Sequence, residues 1–135
     1  MIARVGKVTS VDGATGKAKV TYEQDNTSMP LSVVSQGGEY KMPDVGDMVL
    51  TLHLENGSSK GFIIGAYYGG TKTPKATSGY RKDYDDDASL VCSSGNITLK
   101  AKEITIETDY GSETFTNILK RIERLEDALN IPHTI

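Results

Sequence analysis

The stretch ARVGKVTSVDGATGKAKVTYE, residues 3–23, reads as two strands joined by a turn. Asp12-Gly13 and Gly16 supply the backbone freedom that a hairpin connection needs. The first run changes phase: Val5 and Val8 cannot share a face under strict alternation, so an extra residue must be taken up between them. A bulge at Gly6 is the expected device. After the turn Ala18, Val20 and Tyr22 alternate, which predicts that all three point inward. A bent strand feeding a short hairpin is the start of a small closed barrel.

The next segments continue that pattern. MPLSVVSQ (residues 29–36) gives a shorter run that Pro30 confines to a sheet edge or a strand start, and GGEYKMPDVGD (37–47) is a loop. MVLTLHLE (48–55) sets Met48, Leu50, Leu52 and Leu54 on one face. His53 falls on the other face beside Val49 and Thr51, with no Asp, Cys or second His at ligand spacing, and is expected at the surface or an interface. NGSSKG is a turn, and FIIGAYY (62–68) is a nearly continuous apolar run. Five short, turn-separated strands in about 68 residues predict an oligonucleotide/oligosaccharide-binding (OB) barrel over residues 1–70. A barrel of this kind hosts many functions and names none.

Composition narrows the classes. The 135 residues are 37% hydrophobic and 24% charged with a net charge of −3, the balance of a soluble protein. An apolar run long enough to span a bilayer and a basic leader before an apolar stretch are both missing, so no signal peptide or membrane span is predicted. Cys92 is the one cysteine, which excludes an internal disulfide and a Cys-rich zinc site; it reads as a small buried hydrophobe. The acidic balance argues against stable nucleic-acid binding. Lys72, Lys75, Arg81 and Lys82 come nearest to a basic patch, but Pro74 and Gly79 interrupt them and Asp85, Asp86 and Asp87 follow, so they read as a solvated linker. Tyr67 and Tyr68 could stack on bases in a single-strand-binding OB module, but are expected to finish a strand and pack against a neighbour. Phosphate loop, serine elbow, HExxH helix and a paired-carboxylate site are all lacking. The expectation is a protein without catalytic residues or cofactor.

Beyond the linker, assigned to residues 71–87, the pattern becomes thin. Three seven-residue units align as SLVCSSG (89–95), NITLKAK (96–102) and EITIETD (103–109). Their second positions are Leu90, Ile97 and Ile104; their fourth are Cys92, Leu99 and Ile106. Each strand carries two inward apolar residues, too few to build a core within one chain. Stacked against copies from other chains, the same stripe lines a prism, as in β-helical repeats whose faces are buried only by neighbours. Residues 88–112 are therefore read as a trimeric intertwined β-helix shaft.

TFTNILKRIERLEDALN (114–130) changes period again. Phe115, Ile118, Ile122, Leu125 and Leu129 recur at spacings of 3, 4, 3 and 4, the a/d seam of a coiled coil. Arg121 at g and Glu126 at the next e are placed to pair between chains. Residues 113–130 are read as a coiled-coil helix held by the preceding repeat, the alternative being a helix packed back on the barrel with Leu119 widening its stripe. Pro132 stops the helix, and residues 131–135 form an apolar tail.

The segments ARVGKVTSVDGATGKAKVTY, GGEYKMPDVGDMVLTLHLENGSSKGFIIGAYY and YDDDASL together resemble the baseplate assembly protein V family of contractile phage tails. The likeness covers most of residues 3–70 and runs more loosely to about 109. It is most specific in GEYKMPDVGDMVL and GFIIGAYY. The resemblance implies a homotrimeric, non-enzymatic central spike, of a design shared with R-type bacteriocins and type VI secretion spikes. Residues 1–70 would attach to a trimeric baseplate hub below the tail tube, and residues 88–110 would form the shaft. Such a spike closes the tube and pierces the target cell envelope mechanically when the sheath contracts. It would be made in a host cytoplasm and reside in a virion or particle baseplate. The chain departs from the family in two ways. Many relatives end in a His-X-His apex that holds iron on the threefold axis, whereas here only His133 is near the end. The lysozyme insertion of some relatives is lacking, so the helices could instead be a socket, in a tube-plugging adaptor that recruits a separate tip protein or effector.

Overall fold

β1 (Ile2–Asp12) organises the N-terminal half of the chain in the computed structural model, which describes residues 1–23, 26–54, 60–69 and 72–132. It pairs antiparallel on one side with β2 (Lys17–Thr21) and on the other with β4 (Met48–His53). β2 continues antiparallel to β3 (Leu31–Val33), β3 runs parallel to β5 (Gly61–Ala66), and β5 returns antiparallel to β4. The order β1-β2-β3-β5-β4 closes into an OB-like barrel. Its core is Val8, Ala18, Val20, Tyr22, Leu31, Val49 and Ile63. The inward alternation of Ala18, Val20 and Tyr22 holds. Pro30 lies immediately before β3, so it marks a strand start; closure of the barrel leaves no edge there.

The bulge sits elsewhere than expected. Register in the β1–β2 pair shifts between Val8 and Ser10, not at Gly6. Gly6 is itself an inward position in phase with Val8, while Val5 points out. It must be glycine for lack of room: a Cβ there would lie 2.5 Å from Val20 Cγ1, 2.8 Å from the Thr21 carbonyl oxygen and 2.9 Å from Tyr22 Cδ1. The backbone of Val8 is meanwhile held by the loop before β4, its N–H donating to the Asp47 carbonyl (2.9 Å) and its carbonyl accepting from Gly46 N–H (2.8 Å).

That register decides β4. Gly6 stands opposite Val49 and Val5 opposite Leu50, so Val49, Thr51 and His53 face the interior and the leucines face out. His53, expected at the surface, is 4% exposed. Because side chains alternate with period two, the choice of face is all or none along the strand. A barrel interior already filled by Val8, Val20, Leu31 and Ile63 takes the smaller Val and Thr, and His53 finds a polar partner there.

The chain divides into two compact units, Met1–Lys75 and Ala76–Ile135. In the second, β6 (Tyr80–Asp83), β7 (Ser89–Ser93) and β8 (Asn96–Lys100) form an antiparallel meander, and β9 (Thr105–Thr108) pairs with β10 (Gly111–Thr114) as a hairpin. The linker assignment of 71–87 is therefore corrected: β6 lies inside it, hidden by a charged sequence whose side chains are mostly exposed. The first two seven-residue units become successive strands because Ser94 (φ 51°) and Gly95 (φ 80°) are both left-handed, the requirement of a two-residue hairpin turn. The third begins a new hairpin.

α1 (Phe115–Leu129) starts at Thr114, whose hydroxyl accepts from Asn117 N–H, and ends at Asn130 in the left-handed region (φ 55°). The Asn130 N–H donates to the Asp127 carbonyl and the Ile131 N–H to that of Glu126 (2.8 Å). The stop is thus Asn130, not Pro132; an αL cap satisfies carbonyls that proline leaves open.

Replacing Gly6 by valine is expected to cost about 2–3 kcal/mol by overpacking, because the contacts include backbone and cannot yield by side-chain rotation alone. Denaturant unfolding followed by a probe of the barrel, compared with Val5→Ala as an outward control, measures it.

Candidate assembly surfaces

The second unit is a structure without a core. Among its described residues only Ser89 is buried. The residues expected to line a trimer axis are brought together in two groups. Leu90 pairs directly with Leu99 and Cys92 with Ile97, so these four share one face of the β6–β8 sheet. Ile97 is 74% exposed and Leu99 more than half, while Leu90 and Cys92 are partly covered. Ile104 precedes β9 and its carbonyl accepts from Phe115 N–H (2.7 Å), which ties the start of α1 to that strand; Ile106 on β9 is exposed.

Along α1, Phe115 and Ile122 are exposed, Ile118 is half-buried, and Leu125 and Leu129 are 63% and 67% exposed. Every apolar residue left this way forfeits burial worth about 25 cal/mol per Å². Arg121 has a contact within its own chain, 4.0 Å from Glu113 Oε2. Its expected partner Glu126 is half-buried on the same helix.

The helix N-terminus is well supplied with acceptors. Glu103 Oε1 accepts from Thr116 N–H (3.2 Å) and Ile104 N–H (3.0 Å); Glu113 Oε1 accepts from Thr114 N–H and Asn117 Nδ2 (both 2.9 Å). The bonds from Thr114 N–H and Thr116 N–H satisfy groups that a helix cannot satisfy itself. Hydrogen bonding from Thr116 holds the Glu103 carboxyl below its ordinary value, and bonding from Asn117 does the same for Glu113.

Inside the barrel is a polar group that sequence reasoning missed. Tyr22 Oη lies 2.7 Å from His53 Nε2 and 2.9 Å from Thr51 Oγ1, and the Thr51 hydroxyl also reaches the Arg4 carbonyl (3.3 Å). The Arg4 guanidinium carbon stands 3.8 Å from the Tyr22 ring centroid. The signal was the alternation of Val49, Thr51 and His53, which was legible but assigned to the wrong side. Lys72, read as part of a solvated linker, instead forms ion pairs with Asp47, a buried residue, and with Asp44 (3.1 Å). Bonding to Asp47 and then Asp44 raises its pKa. A cleft of about 300 Å³ beside β5 is lined by Val33, Val34, Met42, Pro43, Ile64 and Ala66, with Glu39, Lys41 and Asp47 as its charged groups.

The outward leucines make a third surface. Val5 stands opposite Leu50, Ala3 opposite Leu52, and Leu52 opposite Phe62, so an apolar strip crosses the outside of β1, β4 and β5. Val5, Leu50, Phe62 and Ile64 on these strands are exposed, as is Leu54 just past β4. Tyr67 and Tyr68 follow β5, and Tyr68 is largely exposed where packing against a neighbour was expected.

Among the described residues no cluster of three or more His, Cys, Asp or Glu is arranged to hold a metal ion, and no helix is long and apolar enough to cross a membrane. His133, the candidate ligand for a threefold-axis metal, lies outside the described residues. No family model matches the chain, and no curated protein matches it.

Depressed carboxylate pKa values stabilise the helix start above the unfolded value and lose that effect as pH falls through the folded one. Helicity by circular dichroism is therefore expected to fall as pH drops below the ordinary glutamate range. Glu103→Gln with Glu113→Gln is expected to flatten that acid limb.

Proposed function

We propose that this protein is a structural, non-enzymatic subunit that acts as a homotrimer: the central spike of the baseplate of a contractile tail or tail-like injection particle. One observation carries the reading. In the unit of residues 76–135, the described apolar side chains of the β6–β8 sheet, the β9–β10 hairpin and the helix are all left unburied, a condition that other chains would relieve. The resemblance of residues 3–70 to baseplate spike proteins and the OB-like closed barrel support the assignment.

In this reading the barrel sits on a trimeric hub and closes the tube, and the C-terminal unit is the shaft. The apolar strip of Val5, Leu50, Leu52, Phe62 and Ile64 suits attachment to the hub, since it lies on adjacent strands of the barrel's outer side and most of it is exposed. Force comes from sheath contraction elsewhere. Three walls of β-structure resist bending because their backbone hydrogen bonds must break together, so penetration of the target envelope needs no chemistry from this chain. The α1 helices, bundled through Phe115, Ile118, Ile122, Leu125 and Leu129, lock the three copies in register.

Sedimentation of the purified chain is expected to give a trimer, and a monomer at micromolar concentration with a fully formed C-terminal unit would end this reading. Ile97→Asp or Ile104→Asp is expected to yield monomers with an intact barrel, because each charge would be buried three times around one axis. Leu50→Lys combined with Phe62→Lys is expected to leave the trimer intact and to weaken co-purification with the hub at least about tenfold, a loss of about 1.4 kcal/mol.

A further inference from the structure

We infer that the outer barrel face centred on β1 takes a protein partner whose apolar ridge is bordered by carboxylates: Val5, Leu50 and Leu52 receive the ridge, and Lys7 and Lys19 receive the carboxylates. This deepens the hub attachment above, whose partner chemistry it names, and rests on it.

The strands of the barrel wall are almost free of acid. Across β1, β2, β3, β4 and β5 the one Asp or Glu is Asp12. Its carboxylate is occupied by the hairpin turn, where Oδ1 accepts from Ala14 N–H (3.1 Å) and bonding from the Thr15 side chain holds the group below its ordinary pKa. The cations of the same strands are Arg4, Lys7, Lys17 and Lys19. Arg4 lies over the Tyr22 ring. Lys7, Lys17 and Lys19 are exposed, and among the described residues none of the three forms an ion pair.

Register brings charge and apolar surface together on β1. Its outward residues run Ala3, Val5, Lys7, so apolar side chains give way to an ammonium along a single strand. On one side β4 sets Leu52 opposite Ala3, Leu50 opposite Val5 and Met48 opposite Lys7. On the other side β2 sets Thr21 opposite Lys7, and Lys19 is the next outward residue of that strand. Two ammonium groups thus share one flank of the apolar strip with no carboxylate facing them from either strand. The occupant follows from both features. An anionic polymer such as single-stranded nucleic acid would answer the lysines and leave Val5 and Leu50 wet. A second copy of the same face, packed isologously, would set lysine against lysine. A protein surface with an apolar ridge and an acidic border answers both: complementary charge guides the encounter and fixes register, and the apolar centre is buried.

The test follows association and dissociation of the full chain on the immobilised hub protein of the same particle. Lys7→Glu with Lys19→Glu is expected to slow association about tenfold at low salt, the gap narrowing as salt rises, while Lys75→Glu, beyond the barrel strands, leaves the rate unchanged. A carbodiimide, which joins an amine to a carboxylate in contact with it, is expected to link Lys7 or Lys19 of the unaltered chain to Asp or Glu of the hub. If the reversal variant fails to fold, Lys7→Gln with Lys19→Gln is expected to slow association in the same direction. A hub complex that forms at the unaltered rate with the lysines replaced, or in which neither lysine is linked, overturns this inference and leaves the hub reading standing. Binding to anionic vesicles or single-stranded DNA that is lost with the two lysines assigns the face to another partner and overturns it as well. So does a change of sedimentation on charge reversal, which places a second copy there. An unaltered chain that does not bind the hub overturns both.

Discussion

The backbone of Gly6 lies so close to the Val20 and Tyr22 side chains that no other residue fits without displacing the strand, and the register of the whole barrel follows from that contact. With Gly6 inside, Val49 is its cross-strand neighbour and β4 has no choice of face. Thr51 and His53 then enter the interior, where Tyr22 satisfies them. A polar trio in so small a core is tolerable because its members bond to one another; unpaired, each would cost more than the packing returns. The same register sends the leucines outward, so one missing side chain both builds the core and exposes an apolar surface.

The two units solve the problem of small size in opposite ways. The barrel closes on itself and buries seven hydrophobic side chains completely enough to define a core. The C-terminal unit divides its strands between a three-stranded sheet and a two-stranded hairpin, and a hairpin by itself is marginal in water. It invests instead in local definition: a left-handed Ser94-Gly95 turn, a two-carboxylate helix start and an αL helix stop. Such devices fix the shape of each piece without supplying cohesion. The apolar stripe is left uncovered.

Much of this was legible in the sequence. The hairpin around residues 12–17, the inward alternation of Ala18, Val20 and Tyr22, the five-strand count and the helix over the 115–129 heptads all follow from period and turn chemistry. What failed had a common cause. Alternation says which residues share a face but not which face is inside, so β4 was read with His53 at the surface. Glycine in a strand signals either a bulge or a close approach, and Gly6 is the second. β6 went unread because Tyr80-Arg81-Lys82-Asp83 has no apolar alternation; its strand state comes from pairing with β7, a tertiary effect.

Lys72 ties the end of the first unit back onto the loop before β4. Gly69 and Lys72 exchange backbone hydrogen bonds (3.1 and 3.2 Å), and the ammonium then grips Asp47 and Asp44 in the loop that also holds Val8. A pull transmitted along residues 73–79 reaches this anchor before it reaches β5. If the chain is pulled, the ion pair would serve as a strain relief, like the clamp where a cable enters its housing.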